Sequence, residues 1–335
     1  MSSFVDFARV NGVVIDPSKL YASQRIQRCG TTRKPNSVNG AYFWDGARGW
    51  VFDWSAEAKV QWFSDPRSQP WTDAEKATWK ANRQSEITRV AEDHRRAATR
   101  AEKLILSTKP STHNYLARKG FPDLKGMVDD AGDLVIPMRH LESNALVGAQ
   151  LVHWHEQERR WVKKMLTGMR AKGAVLRLGE RSASETFLVE GYATGLSVVD
   201  ALRSMGSRAA VVICFSANNL EHVSRRVQGR AFVFADHDKS GVGEAAAKAT
   251  GLPYCMSPIE GEDANDLHMR SGLVAVCQLL MKVKIRSNRS TSHDQFTRRH
   301  GKAEFPSLQP DVPGHSAQGS RARVNTDPDM PLDHI

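Results

Sequence analysis

An α/β fold is predicted by three features of this 335-residue sequence. Between residues 186 and 236, three short runs of β-branched, apolar and aromatic residues recur as TFLV, AAVVICF and AFVFA. Helix-like segments (192–204, 217–228 and 241–250) alternate with them, which is the pattern of a Rossmann-like parallel sheet with crossover helices. Upstream, strand-like runs follow one another without such helices, as an antiparallel unit would.

Each element has its own signal. Residues 1–70 are rich in turns and aromatics, and NGAYFWDGARGWVFDWSAEAKVQWF (39–63) reads as a small β-meander. Trp44, Trp50, Trp54 and Trp62 either form its core or stack on nucleic-acid bases, the core reading being the stronger. Residues 71–110 read as a helical linker: Thr72-Asp73-Ala74-Glu75 starts a helix and Lys109-Pro110 stops it. Between them lies a solvated spacer whose Arg95, Arg96 and Arg100 are available to nucleic acid. LVIPMRH (134–140), ALVGAQLVHW (145–154) and WVKKML (161–166) are strands of an α+β unit over 111–182. The parallel block occupies 183–283, with PYCMSP as a fourth strand and helix over 264–281. Beyond it, 284–335 lacks the aliphatic residues needed to offset ordering entropy and is expected to be a disordered tail. Its first part is basic (Arg286, Arg289, Arg298, Arg299, Lys302) and its end acidic.

Composition narrows the function. There are 47 Lys+Arg against 37 Asp+Glu, a formal charge of +10, which favours a polyanionic partner without establishing one. No apolar run approaches the ~18–20 residues of a membrane span, and MSSFVDFARV lacks a secretory pattern, so a cytoplasmic location is expected. The four cysteines (Cys29, Cys214, Cys255, Cys277) are scattered without a CxxC pair, and no zinc is expected. No G-x-x-x-x-G-K-[ST] loop is present, so a helicase motor would have to be a separate partner. His153 and His155 share a strand face but have no third ligand nearby in sequence, and read best as a surface pair.

The chemistry concentrates in acidic strand ends. In open α/β sheets, functional groups gather beyond the carboxyl ends of the strands. TFLV delivers Glu190, AFVFA delivers Asp236 and Asp238, and the loop after the fourth strand holds Glu262, Asp263 and Asp266. Converging carboxylates repel unless a divalent cation neutralises them, and hard oxygen ligands suit Mg²⁺ or Mn²⁺. An EF-hand reading of Asp-x-Asp-x-Ser-Gly fails at its twelfth position, Ala247.

FLVEGYATGLSV (187–198), FVFADHDKSGVGEAA (232–246) and GEDANDL (261–267) together resemble the Toprim domain of primases, topoisomerases and some nucleases. VVICFSANNL (211–220) is similar to the matching segment of phage- and plasmid-type primases. HNYLARKGF (113–121), LVIPMRHLESNALVGAQLV (134–152) and WVKKMLTGMRAKGAVLRLG (161–179) resemble the primase subdomain preceding Toprim. The resemblance implies a DNA primase making short RNA primers from NTPs on single-stranded DNA during phage or plasmid replication, in the host cytoplasm. Glu190 would be catalytic and share a metal site with Asp236, Asp238, Asp263 and Asp266. Lys163 and Lys164 would face nucleotide and template, with Lys172 a further nucleic-acid contact. Residues 1–70 occupy the place of a zinc ribbon without its ligands. A Toprim nuclease and a non-catalytic single-stranded DNA-binding accessory are the alternatives.

Overall fold

The computed structural model describes residues 3–36, 38–54, 60–64 and 72–300. The N-terminal module opens with α1 (Phe4–Val10), which the sequence reading missed. A capping box starts it: Ser3 Oγ accepts from Asp6 N–H, and the Asp6 carboxylate accepts from Ser3 N–H. Strands β1 (Val13–Val14), β2 (Ser23–Thr31), β3 (Gly40–Trp44), β4 (Arg48–Asp53) and β5 (Gln61–Ser64) form an antiparallel meander in that order. Phe4 of α1 stacks on Trp44 at 4.5 Å and packs with Val13, Tyr42 and Val51. Trp44 and Trp50 therefore serve the module's own packing, whereas Trp54 and Trp62 keep 37% and 55% of their surface exposed.

One helix, α2 (Asp73–Ser107), follows. It is no solvated spacer over its whole length: Ala97 and Ala101 are fully buried against Met138, Val135 and Ala149. Two alanines one turn apart let its backbone approach the sheet closely. The antiparallel unit comprises β6 (Lys109–Ser111), α3 (Asn114–Arg118), β7 (Gly126–Val128), β8 (Leu134–His140), β9 (Leu146–His155), β10 (Arg160–Met165) and β11 (Ala174–Leu178). His153 and His155 lie on β9. Nδ1 of His153 pairs with Asp133 at 2.6 Å, and Nδ1 of His155 accepts from Glu158 N–H.

The parallel block runs β12 (Glu185–Val189), α4 (Tyr192–Ser204), β13 (Ala210–Ile213), α5 (Ala217–Ser224), β14 (Arg230–Ala235), α6 (Val242–Ala249), β15 (Tyr254–Met256) and α7 (Ala264–Ser271). Its strands lie in the order β13-β12-β14-β15, all parallel. Both faces are covered, which is why these strands read as unbroken apolar runs. Phe187 and Phe232 stack at 4.9 Å beneath α4 and α7, while Leu188, Val212 and Val233 pack on the α5 side.

Strand β11 is the seam. It pairs antiparallel with both β8 and β13, joining the two blocks into one ten-stranded sheet. Gly272, at φ 76°, separates α7 from α8 (Leu273–His300). The chain divides into two compact units, Met1–Lys284 and Ile285–Ile335. Of the tail expected to be disordered, residues 285–300 are helical as part of α8, a stretch without Gly or Pro to break it; residues 301–335 lie outside the described residues.

Candidate active site

Glu190 follows β12 directly. Its carbonyl accepts from Phe215 N–H at 2.9 Å and that of Val189 from Cys214 N–H at 2.8 Å, so the β12–β13 ladder continues beyond both strands and fixes Glu190. Phe215 holds φ 65°, a left-handed conformation that costs a bulky residue about 1–3 kcal/mol. Its ring packs into the core beside Tyr192 and Leu178. Burial pushes the Glu190 carboxyl above its ordinary range, Asp238 adds to the rise, and Lys163 opposes it.

β12 and β14 are direct neighbours, with Leu188 opposite Val233, so Glu190 and Asp236 emerge at the same rim. Oδ1 of Asp236 is buried and has no hydrogen-bond partner. Burial, then the charges of Asp263, Glu190 and Asp238 against Lys163, raises this carboxyl to about 8. Two residues on, Asp238 is the opposite case. It accepts from Ser240 N–H at 2.8 Å, from the Ser240 hydroxyl, and from Gly243 N–H at 2.8 Å at the start of α6. Partial burial works against its charge, yet these donors hold it below the carboxylate range. Gly243 is obligatory here, because a Cβ would stand 2.3 Å from the Asp236 carbonyl oxygen.

The third acidic segment is tied to this rim by backbone. His237 N–H donates to Glu262 O at 3.1 Å, and Gly261 N–H donates to His237 O. Asp263 then caps α7: its Oδ1 accepts from Asn265 and Asp266 N–H, and its Oδ2 from Thr194 Oγ1 at 2.9 Å. Asp266 completes the capping box and meets Lys119 Nζ at 3.3 Å on the Tyr115 flank of the cleft.

Lys163 of β10 reaches the cleft from the antiparallel block. Its ammonium lies 5.7 Å from the Tyr115 ring centroid and acts on both Glu190 and Asp236. Lys164 is the next residue on the strand and projects from the other face. Lys172 lies apart from the carboxylates, beside His222 of α5. The structure thus brings Glu190, Asp236, Asp238, Asp263 and Lys163 together, sets Asp266 on the flank, and leaves Lys164 and Lys172 elsewhere. Lys119, Tyr115 and Thr194 were missed as site residues. The first two sit in HNYLARKGF, but their approach to GEDANDL is tertiary.

A divalent cation suits this chemistry. The donors are hard carboxylate oxygens, and the orphaned Oδ1 of Asp236 is a buried acceptor awaiting a partner. Among the described residues no group of three or more His, Cys, Asp or Glu side chains is arranged to hold a metal ion as it stands, so a cation here would draw on water and phosphate oxygens as well. Such an open acidic rim is compatible with Mg²⁺, which keeps much of its coordination for water and phosphate oxygens.

Among curated proteins, none matches this chain. A solved structure described as the DnaG catalytic core aligns at 14% identity with a TM-score of 0.32, covering 52% of this chain and 64% of that one. Residues 185–273 match the family model described as Toprim domain. The strands carrying Glu190, Asp236 and Asp238, and the loop carrying Asp263, all fall within that match, so the chain carries a Toprim domain whose strand ends form the acidic rim.

Proposed function

We propose that this chain is a DNA primase that extends RNA from NTPs on a single-stranded DNA template. The observation that carries this reading is the position of Lys163. A cation from the antiparallel block acts on the acidic rim across one continuous sheet, which supports a cleft where carboxylates on one wall would bind a metal and the cation on the other would meet phosphate.

Asp236 and Asp238, with Asp263 beside them, would hold Mg²⁺ or Mn²⁺. When bound, the ion supplies charge neutralisation for the attacking and leaving oxygens of an in-line phosphoryl transfer. Glu190, raised above the ordinary carboxylate range by burial, is suited to accept the proton of an attacking 3′-hydroxyl. Lys163 would neutralise the triphosphate of the incoming nucleotide, and Tyr115 beneath it limits where its ammonium can go. Duplex opening would fall to a separate helicase.

The test uses full-length protein, single-stranded template, labelled NTPs and Mg²⁺. Short NTP-dependent products are expected. Shortened template without NTP incorporation would instead establish a nuclease and overturn this reading.

A further inference from the structure

Farther along the same rim the chain builds a second site of opposite sign. Gly173 immediately precedes β11, two strands from β12, or about 10 Å away at ordinary strand spacing. Its loop is locked in place by Asn219, a buried side chain at the start of α5. Oδ1 of Asn219 accepts from Gly173 N–H at 2.8 Å, and its amide donates to the Ala174 and Cys214 carbonyls at 2.7 and 2.8 Å.

Two imidazoles converge over this glycine. A methyl group at Gly173 would lie 3.4 Å from His140 Nε2 and 3.7 Å from His222 Nε2. The φ of 76° and the absence of a side chain both keep that space open. The other ring nitrogens are already used as acceptors: Nδ1 of His140 faces Ser143 N–H and Nδ1 of His222 faces the Arg226 guanidinium at 3.1 Å. A guanidinium only donates, so in the neutral ring of His222 Nε2 carries the proton, while Nδ1 of His140 also meets the Ser143 hydroxyl at 3.2 Å, a partner that can donate or accept. The edges of both rings therefore border one spot, His222 with an N–H donor.

The surrounding charge is mainly cationic, opposed by Glu142 at His140 and by Asp93 at His94. Arg170 and Lys172 stand in and beside the loop, and among the described residues neither forms an ion pair. From α5, Arg225 is engaged by Glu221, whereas Arg226 meets Glu142 only at 3.6 Å. From α2, His94 also feels Arg170. Burial and these cations push His222 down to about 4, and lower His140 and His94 in the same direction. A metal cation would be repelled here. An anion would meet the imidazole edges of His140 and His222 and the cations Arg170 and Lys172.

We propose that His140, His222, Arg170 and Lys172 form a phosphate-binding site distinct from the carboxylate rim; for Lys172 it deepens the nucleic-acid contact that the primase reading implies, while binding of a free polyphosphate would not depend on that reading. The phosphate could belong to a free polyphosphate or to a nucleic-acid backbone. The ligand's charge would favour the imidazolium forms, so binding should take up protons and strengthen as pH falls.

The experiment titrates the full chain with inorganic tripolyphosphate by calorimetry, and with a labelled single-stranded oligonucleotide across a salt series, at about pH 6 and pH 8. Arg170→Ala/Lys172→Ala is expected to weaken tripolyphosphate binding by at least about tenfold, with an unchanged melting curve. His140→Asn/His222→Asn is expected to remove the pH dependence. If tripolyphosphate does not bind but the lysine–arginine variant lowers the oligonucleotide's salt slope by about one to two, the phosphate is that of a strand. Unchanged affinity for both ligands in both double variants, or tighter binding at the higher pH, overturns the site.

Discussion

The two halves of the ten-stranded sheet solve opposite problems. In the parallel half, β12, β13 and β14 are buried on both faces, and polar chemistry is expelled to the strand ends. In the antiparallel half, β9 and β10 keep one face partly wet, and cations project from the middle of a strand. The contrast shows how a rigid rim can hold carboxylates that repel one another while a more exposed wall supplies the compensating charge. Neither half makes a site alone; β11 brings them into one cleft.

The sharpest way to break the comparison is to remove the rim's buried carboxyl groups. Asp236→Asn or Glu190→Gln is expected to cut primer synthesis by about 10³-fold, the scale of losing a main electrostatic contributor to a transition state. Affinity for single-stranded DNA should stay near the parent value, because neither group attracts phosphate. Primer synthesis unchanged in both variants would remove the rim from the mechanism. Stability should divide the halves as cleanly. Phe187→Ala, beneath the rim, is expected to cost about 3–5 kcal/mol in denaturant unfolding. Lys164→Ala, on the exposed strand, should stay within about 0.5 kcal/mol. A similar loss from both would mean that the halves are equally load-sharing.

Smaller effects test the wall that faces the rim. Lys163→Ala is expected to lower kcat/KM for NTPs by roughly 10- to 100-fold, while Lys164→Ala, on the other face, changes it little. Equal losses would mean that strand alternation does not decide which lysine works.

How much of this was legible in sequence follows from the same contrast. Buried parallel strands announce themselves as apolar runs, so β12 to β15 and their crossover helices were readable, and their carboxyl ends pointed to Glu190, Asp236 and Asp238. The pairing of β11 with both blocks was not readable, since AVLRL carries no mark of its two neighbours. Lys119 and Asp266 meet across 147 positions, and Asn219 reaches Gly173 across 46; no local pattern encodes either contact. Helix α1 was missed because seven residues give too few turns for an apolar period to show. The burial of Ala97 and Ala101 was missed because alanine looks alike on a wet helix face and in a close-packed one.

The last prediction separates the two aspartates of Asp-x-Asp by pH. The Asp236 carboxyl is raised from an ordinary 3.8 to about 8, so between those values the folded protein binds a proton that the unfolded chain has released. Stability of the metal-free protein should therefore fall as pH rises through that window. Asp238, held below its ordinary value by Ser240 and the start of α6, has the reverse sign: its contribution is present at neutral pH and lost only on acidification. Asp236→Asn should flatten the decline between about pH 5 and pH 8, while Asp238→Asn should leave it in place. Added Mg²⁺ should raise the melting temperature by a few degrees near pH 8 and by less near pH 5, because the ion replaces a proton only where that proton is weakly held. A melting temperature that is flat with pH in the metal-free parent, or a Mg²⁺ shift retained in full by Asp236→Asn, would show that the buried oxygen of Asp236 is not where charge is waiting to be neutralised.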